Sequence, residues 1–322
     1  MFGKAQLRLL ALASLTAMSA ECGGGRTALF DLDGGFARSL WGDAGGVGPA
    51  QCPTETSLHL IEVTTPVKLD LLFMIDDSGS MEDDQENLGR NFPRLMDELK
   101  NLPLGLPDLH VGVVSSDIGD SGVLYASTNC GLDPKRGRFL ISESGKNNNF
   151  QGDISTVFAC LAKLGTGGSG DEQQLATVRM ALSGLIPAND GFLRRDAHLA
   201  VVYVTDEDDH SRLPGDDFNV APVEPFVNDM RLLLTQSISI SVIAGWPTDG
   251  RTPPDARGSG SYETCKSANG EADIAWRMKE FVDGFGPAGK MLSICQDDFS
   301  DAMTQIGQLI TTTIESALSE CR

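Results

Sequence analysis

A carboxylate and two hydroxyls recur at every second residue in the segment 76–80, which reads DDSGS and places Asp76, Ser78 and Ser80 together. Gly79 gives the backbone the freedom to turn these side chains inward on a tight loop. Oxygen-only ligands of this kind suit Mg²⁺, Ca²⁺ or Mn²⁺. The spacing therefore predicts a divalent-cation site. The acids that follow at 82–86 need no ion, because carboxylates in the first turn of a helix are stabilised by its dipole.

A second candidate ligand, Asp206, stands at the start of the acidic segment DEDD, directly after another apolar run. Asp206 can reach the same ion if the two apolar runs are neighbouring parallel strands, because open α/β sheets form their binding crevice at the carboxyl ends of the strands. Between the two loops lies the glycine-rich segment 165–171, GTGGSGD, whose hydroxyls can add a further oxygen.

Alternating apolar runs and amphipathic stretches must position these loops. The run VKLDLLFMI at 67–75 has few polar breaks, as expected for a strand buried on both faces. Strands and helices in alternation predict a doubly wound α/β fold with a mostly parallel central sheet and helices on both faces. The other strand-like runs are 110–115, 198–205 and 238–244, and the helical stretches are 84–101, 172–186, 223–236 and 298–319.

Two insertions, 119–160 and 246–275, interrupt this alternation and contain few core-like runs. Each is interpreted as a surface excursion fixed by a disulfide. Apart from Cys22, six cysteines remain, which an oxidising compartment allows to pair in 15 ways. Sequence alone does not choose among these pairings. Position along the chain favours the pairs Cys130–Cys160 and Cys265–Cys295 within the insertions, and Cys52–Cys321 across the ends of the folded part.

The amino terminus has the pattern of an export signal over residues 1–21, with basic residues followed by a short apolar run and then small residues. One interpretation is lipidation of Cys22, although Glu21 stands where a lipoprotein signal has a small residue. The other is simple cleavage after Ser19 or Ala20. Both place the protein outside the cytoplasm, in the periplasm or cell envelope, with a lipid anchor as its one predicted link to a membrane.

The segments VKLDLLFMIDDSGSM (67–81) and VVYVTDEDD (201–209) resemble the first strand with its metal loop and the fourth strand of von Willebrand factor type A domains. The resemblance covers roughly residues 58–320, so we expect a domain at 58–322 preceded by a Gly-rich tether at 22–57. It implies a metal-ion-dependent adhesion site held by four side chains with one Mg²⁺ or Ca²⁺. An acidic side chain of a protein or peptide partner would complete the site. The four implied ligands are Asp76, Ser78, Ser80 and Asp206.

The third loop departs from the family pattern, which usually reads G-G-T-x-T where this chain reads GGSGDEQQL. Counting back from the helix places Ser169 at the first Thr and makes it the predicted fifth ligand, with Thr166 as the alternative. Asp171 stands at the second Thr. There it would act as an added anionic or water-bridging ligand and would favour Ca²⁺ over Mg²⁺.

The composition and the absence of two enzyme motifs reduce the number of functions that the sequence supports. A formal net charge of −20 makes nucleic acid an improbable partner, because phosphate binding needs a basic face. The G-x-S-x-G elbow of hydrolases is absent around Ser78 and Ser80, and no Gly-Lys-Ser/Thr follows the glycines of 165–170. The chain is therefore interpreted as a binding protein, not an enzyme. The alternatives are a metal-independent structural envelope protein and a metal-assisted hydrolase.

Overall fold

The computed structural model describes residues 67–102, 105–143, 147–216, 218–233, 235–254, 264–268 and 270–320. The predicted export signal, the tether, Cys22 and the predicted pair Cys52–Cys321 lie outside these residues. Within them, no helix is long and apolar enough to cross a membrane.

Among the described residues, seven strands form the central sheet in the order β4-β3-β2-β1-β5-β6-β9. The pairs β1–β2, β1–β5, β5–β6 and β6–β9 are parallel, whereas β2–β3 and β3–β4 are antiparallel at one edge. The predicted doubly wound, mostly parallel sheet is confirmed. The strands are β1 (Lys68–Ile75), β2 (Asp108–Ser115), β3 (Leu140–Glu143), β4 (Asn147–Asn148), β5 (His198–Val204), β6 (Ile238–Ala244) and β9 (Gly289–Ser293).

The central strand β1 is apolar along its length because both of its faces are covered. Successive side chains of a strand point to opposite faces. Leu71 and Phe73 accordingly belong to one hydrophobic core, and Leu72 and Met74 belong to the other. A run with few polar breaks is thus the pattern of a strand buried in a three-layer fold.

In the part of the chain that the structure describes, six helices cover the two faces of the sheet. Residues of α1, α2 and α6 line the first core, and residues of α3, α4 and α5 line the second. The helices are α1 (Glu82–Lys100), α2 (Ile154–Leu161), α3 (Gln174–Ala181), α4 (Glu224–Arg231), α5 (Trp276–Asp283) and α6 (Ser300–Glu320).

The first insertion is more ordered than its sequence pattern predicts. It contains β3, β4 and α2, and the ring of Phe158 on α2 stacks on Phe92 at 3.9 Å between centroids. Phe158 also lies 4.7 Å from Phe73 of β1, so α2 is part of the core. The predicted disulfide Cys130–Cys160 ties the amino-terminal part of this insertion to α2.

The carboxyl-terminal third contains two elements that the sequence pattern did not predict, the short helix α5 and the edge strand β9. Both are brief, and β9 reads GKMLS, which lacks a sustained apolar alternation. A two-stranded antiparallel hairpin lies near the end of the second insertion. It consists of β7 (Thr264–Ser267) and β8 (Gly270–Asp273). The predicted disulfide Cys265–Cys295 joins this hairpin to the segment after β9.

Candidate metal centre

The loops that follow β1 and β5 lie side by side at the carboxyl edge of the sheet. The two strands pair in parallel, with Ile75 opposite Val204. The backbone N–H of Asp76 extends this pairing by donating to the carbonyl of Val204 at 2.9 Å. Asp76 and Asp206 therefore begin neighbouring loops, as the sequence predicted for adjacent strands.

Asp76 is fully buried, and hydrogen bonds from three directions hold its carboxylate. Oδ2 accepts a hydrogen bond of 2.6 Å from the hydroxyl of Thr205. Oδ1 accepts from the backbone N–H of Ser78 at 2.8 Å and from the Ser116 hydroxyl at 3.4 Å. Asp76 follows β1, Thr205 follows β5 and Ser116 follows β2. The ends of three adjacent strands therefore orient this one carboxylate. The spacing of residues along the sequence assigns no role to Thr205 or Ser116.

The two serines of the D-x-S-x-S loop face each other, with 3.4 Å between the Ser78 and Ser80 hydroxyl oxygens. Ser78 is buried, whereas Gly79 and Ser80 are exposed. The Ser80 hydroxyl also acts on the Asp206 carboxylate as a hydrogen-bond donor. The loop thus reaches from the buried Asp76 to the protein surface, and it connects both aspartates through hydroxyl groups.

The glycine-rich loop packs directly on the D-x-S-x-S loop. Gln85 of α1 bridges them by donating to the carbonyls of Asp76 at 2.9 Å and Gly165 at 2.8 Å. The backbone N–H of Gly168 donates to the carbonyl of Asp77 at 2.9 Å. A Cβ at Gly168 would lie 2.4 Å from an Asp77 carboxylate oxygen, so a larger residue at this position would displace the Asp77 side chain.

The structure gives the predicted third-loop ligands different surroundings. Ser169 is half-buried, and its hydroxyl accepts a hydrogen bond of 3.0 Å from the backbone N–H of Asp171. Thr166 is exposed. The carboxylate of Asp171, hypothesised as an added ligand, forms a two-pronged ion pair with Arg212 at 2.5 and 3.0 Å, and its role at a cation stays a prediction. The two residues are 41 positions apart, so a local sequence pattern does not predict their pairing.

Two further acids belong to the same region and were missed. Glu172, next to Asp171, is fully buried, and neither of its carboxylate oxygens has a partner in hydrogen-bonding geometry. Asp84 in the first turn of α1 is also buried, with one unpartnered oxygen, so the helix dipole alone does not account for it. Asp206 likewise has one buried oxygen without a partner. An acid directly after a glycine loop was the available signal for Glu172.

The electrostatics of this edge disfavour further negative charge. Burial, together with the charge of Asp76, raises the pKa of Glu172 to about 8, and the Ser116 hydroxyl opposes the shift. Burial also raises the pKa of Asp206 to about 6, although the Ser80 hydroxyl lowers it. Burial and the charge of Asp206 raise the pKa of Asp84 to about 7. A cation would reverse these penalties, because an opposite charge favours the ionised form.

The donor set fits a hard cation. It consists of carboxylate and hydroxyl oxygens, which Mg²⁺ and Ca²⁺ prefer, and it includes buried carboxylate oxygens that lack a hydrogen-bond donor. No three or more His, Cys, Asp or Glu side chains among the described residues gather into a metal cluster. The convergent oxygens are instead mixed, since the Ser78 and Ser80 hydroxyls lie between the two aspartates.

Comparisons with known proteins are distant. No protein-family model matches the chain, and neither does any curated protein sequence. Proximal thread matrix protein 1 from the mussel byssus is 12% identical with a TM-score of 0.42, over 76% of this chain and 49% of that one. The pilus adhesin SpaC from Lactobacillus rhamnosus GG is 10% identical with a TM-score of 0.35, over 80% of this chain and 30% of that one. The chain spans half or less of these proteins, and the similarities are too distant to assign a function.

Proposed function

We propose that the chain is a protein-binding domain whose binding surface is organised by one divalent cation, Mg²⁺ or Ca²⁺. The observation that carries this proposal is the buried, unpartnered oxygen of Asp206 on the loop adjacent to that of Asp76. Leaving a buried carboxylate oxygen without a donor costs free energy that a bound cation recovers. Ser78 and Ser80 supply the hydroxyl oxygens between the two acids.

Each residue of the site has a distinct task in this proposal. Asp76, Ser78, Ser80 and Asp206 hold the cation, and Ser169 is the proposed ligand from the third loop. Thr205 and Gln85 fix the loops through the hydrogen bonds described above. The bound cation supplies a Lewis-acidic surface group that attracts an oxygen ligand. Because Ser80 is exposed, that group is within reach of a partner.

The proposed partner is a protein or peptide that presents an acidic side chain to the cation. A carboxylate is the oxygen ligand that best matches a dipositive ion next to two carboxylates of the host. The net charge of −20 makes a nucleic-acid partner unfavourable. We propose binding and not catalysis, and a metal-independent structural role is the outcome that the experiment below must exclude.

The proposed location is the cell envelope, outside the cytoplasm. The disulfides Cys130–Cys160 and Cys265–Cys295 are compatible with an exported protein, because disulfides persist in oxidising compartments. The predicted export signal agrees with this location. Lipidation of Cys22 remains the proposal for membrane attachment, and mass spectrometry of the exported chain distinguishes a lipidated Cys22 from simple cleavage.

Calorimetric titration of Mg²⁺ and Ca²⁺ into the chelated, exported chain tests the proposed function. We expect saturable binding at one site, and we expect Asp76→Ala and Asp206→Ala each to abolish it. The matched control is Asp83→Asn, which removes an exposed acid from the first turn of α1 and should leave binding unchanged. Absence of binding in the parent would overturn the proposal and leave a metal-independent role.

A further inference from the structure

Glu172 is a buried acid whose charge is weakly compensated, because the only favourable group that acts on it among the described residues is the Ser116 hydroxyl. Its side chain is 0% exposed, and both carboxylate oxygens lack a hydrogen-bond partner. Burying an ionised carboxylate without a partner is costly enough that such groups are normally paired or bound to a metal. A fully buried Glu at this position therefore needs an explanation beyond packing.

A capping role for Glu172 at the start of α3 is excluded by the contacts of that helix. The N–H of Gln173 donates to the Ser116 carbonyl at 3.2 Å. Further along, the N–H of Leu175 donates to the Asp209 carboxylate at 3.0 Å. The N–H of Ala176 donates to the Ser211 hydroxyl at 2.8 Å. Other groups thus occupy the helix-terminal donors that a capping carboxylate would accept from.

An ion pair is not the explanation either. The nearby guanidinium of Arg212 forms its two-pronged ion pair with Asp171. The guanidinium of Arg277 pairs with Asp209 at 2.8 Å. Within the described part of the chain, the salt bridges leave Glu172 without a cationic side chain. Without a cation, protonation neutralises Glu172, whose pKa is raised by burial to about 8, and a cation bound nearby would stabilise its ionised form.

The groups that act most strongly on Glu172 are those of the candidate metal centre. Asp76 is the first of the charges that act on it, and the Ser116 hydroxyl is the polar group beside it. Ser116 also touches the Asp76 carboxylate at 3.4 Å, so one hydroxyl adjoins both acids. Glu172 therefore lies close to Asp76 and Ser116 at this edge of the sheet.

We propose that Glu172 supplies a third negative charge to the cation site, in addition to Asp76 and Asp206. This inference rests on the proposed function, because it assumes that a divalent cation binds at this edge of the sheet. With a third carboxylate charge close to the two proposed acidic ligands, the domain binds the cation firmly before any partner arrives, since the charge around such a site sets its affinity. Cation binding then precedes partner binding and does not depend on it.

Titration of Ca²⁺ into the full exported chain, with Glu172→Gln and Glu172→Asp compared with the parent, tests this inference. We expect Glu172→Gln to lower the Ca²⁺ affinity by about tenfold or more, because it keeps the shape and removes the charge. Glu172→Asp, which keeps the charge, should bind more tightly than Glu172→Gln. The control is Asp83→Asn, which removes an exposed acid from the first turn of α1 and should leave the affinity unchanged.

Thermal unfolding in EDTA and in Ca²⁺ provides a second readout. Glu172→Gln should melt no lower than the parent in EDTA, because it removes an uncompensated buried acid, and it should gain less from Ca²⁺. If the parent binds Ca²⁺ and both Glu172 variants bind it equally well, the inference is overturned while the proposed function stands. An equal loss in Asp83→Asn would also overturn it. A parent that binds no cation overturns the proposed function itself.

Discussion

Thr205→Val removes a hydroxyl that donates a hydrogen bond to the carboxylate of Asp76, the buried acid of the candidate site. The Thr205 hydroxyl donates to Oδ2 of Asp76 at 2.6 Å and accepts from the backbone N–H of Glu207 at 3.2 Å. Valine keeps the side-chain shape, so the change removes these hydrogen bonds together with the one between the hydroxyl and the Gln174 side-chain amide at 3.0 Å. A hydrogen bond to a buried charged group contributes about 2 kcal/mol. At about 2–4 °C per kcal/mol for a domain of this size, the metal-free protein should melt about 6 °C lower.

Urea and thermal unfolding of the parent and Thr205→Val in EDTA measure this effect without a contribution from bound cation. The control is Thr235→Val, in which the lost hydroxyl donates to a neutral carbonyl, that of Ser237, at 3.3 Å. We expect the control to cost less than about 1 kcal/mol. If Thr205→Val loses no more stability than Thr235→Val, the hydrogen bond from Thr205 to Asp76 does not have the stabilising role described here.

Three further predictions concern the third loop, a disulfide and a buried histidine. Gly168→Ala should weaken Ca²⁺ binding in calorimetry, because its Cβ would meet the Asp77 carboxylate at 2.4 Å, whereas Gly167→Ala, with nothing within 4 Å, should bind normally. Replacing Cys130 and Cys160 by Ala opens a linkage spanning 30 residues and should lower the unfolding free energy in urea by about 3–4 kcal/mol; a loss below about 1 kcal/mol would contradict this. Burial lowers the pKa of His198 from 6.5 to about 4, so only the unfolded chain gains this proton between those values. Stability should therefore rise with pH across that window, and His198→Gln should flatten the slope in urea titrations at several pH values.

Much of the sheet could be predicted because its central strands are buried on both faces. Such strands appear as apolar runs, and β1, β2, β5 and β6 were recognised in this way. The strand β9 and the helix α5 are short and less regular, so their positions depend on tertiary contacts that a local pattern does not contain. The helix α2 was missed for a similar reason, since its burial comes from packing against Phe73 and Phe92.

The candidate site shows the same limit at the level of single residues. The D-x-S-x-S spacing and the position of Asp206 after a strand were readable, because strand ends of a parallel sheet meet at one edge. The roles of Asp171 and Glu172 were not readable from the sequence. An ion pair with Arg212, 41 residues away, holds the first acid, and the fold buries the second. Two adjacent acids thus have different surroundings because of tertiary contacts that the local sequence does not contain.

The central claim is that a divalent cation binds between the loops that follow β1 and β5. The most direct measurement is a crystal structure of the exported chain grown with Mn²⁺, with anomalous scattering used to locate the ion. We expect a single strong anomalous peak beside the carboxylates of Asp76 and Asp206 and the hydroxyls of Ser78 and Ser80. A well-ordered site without a peak, or a peak confined to other acidic residues, would contradict it.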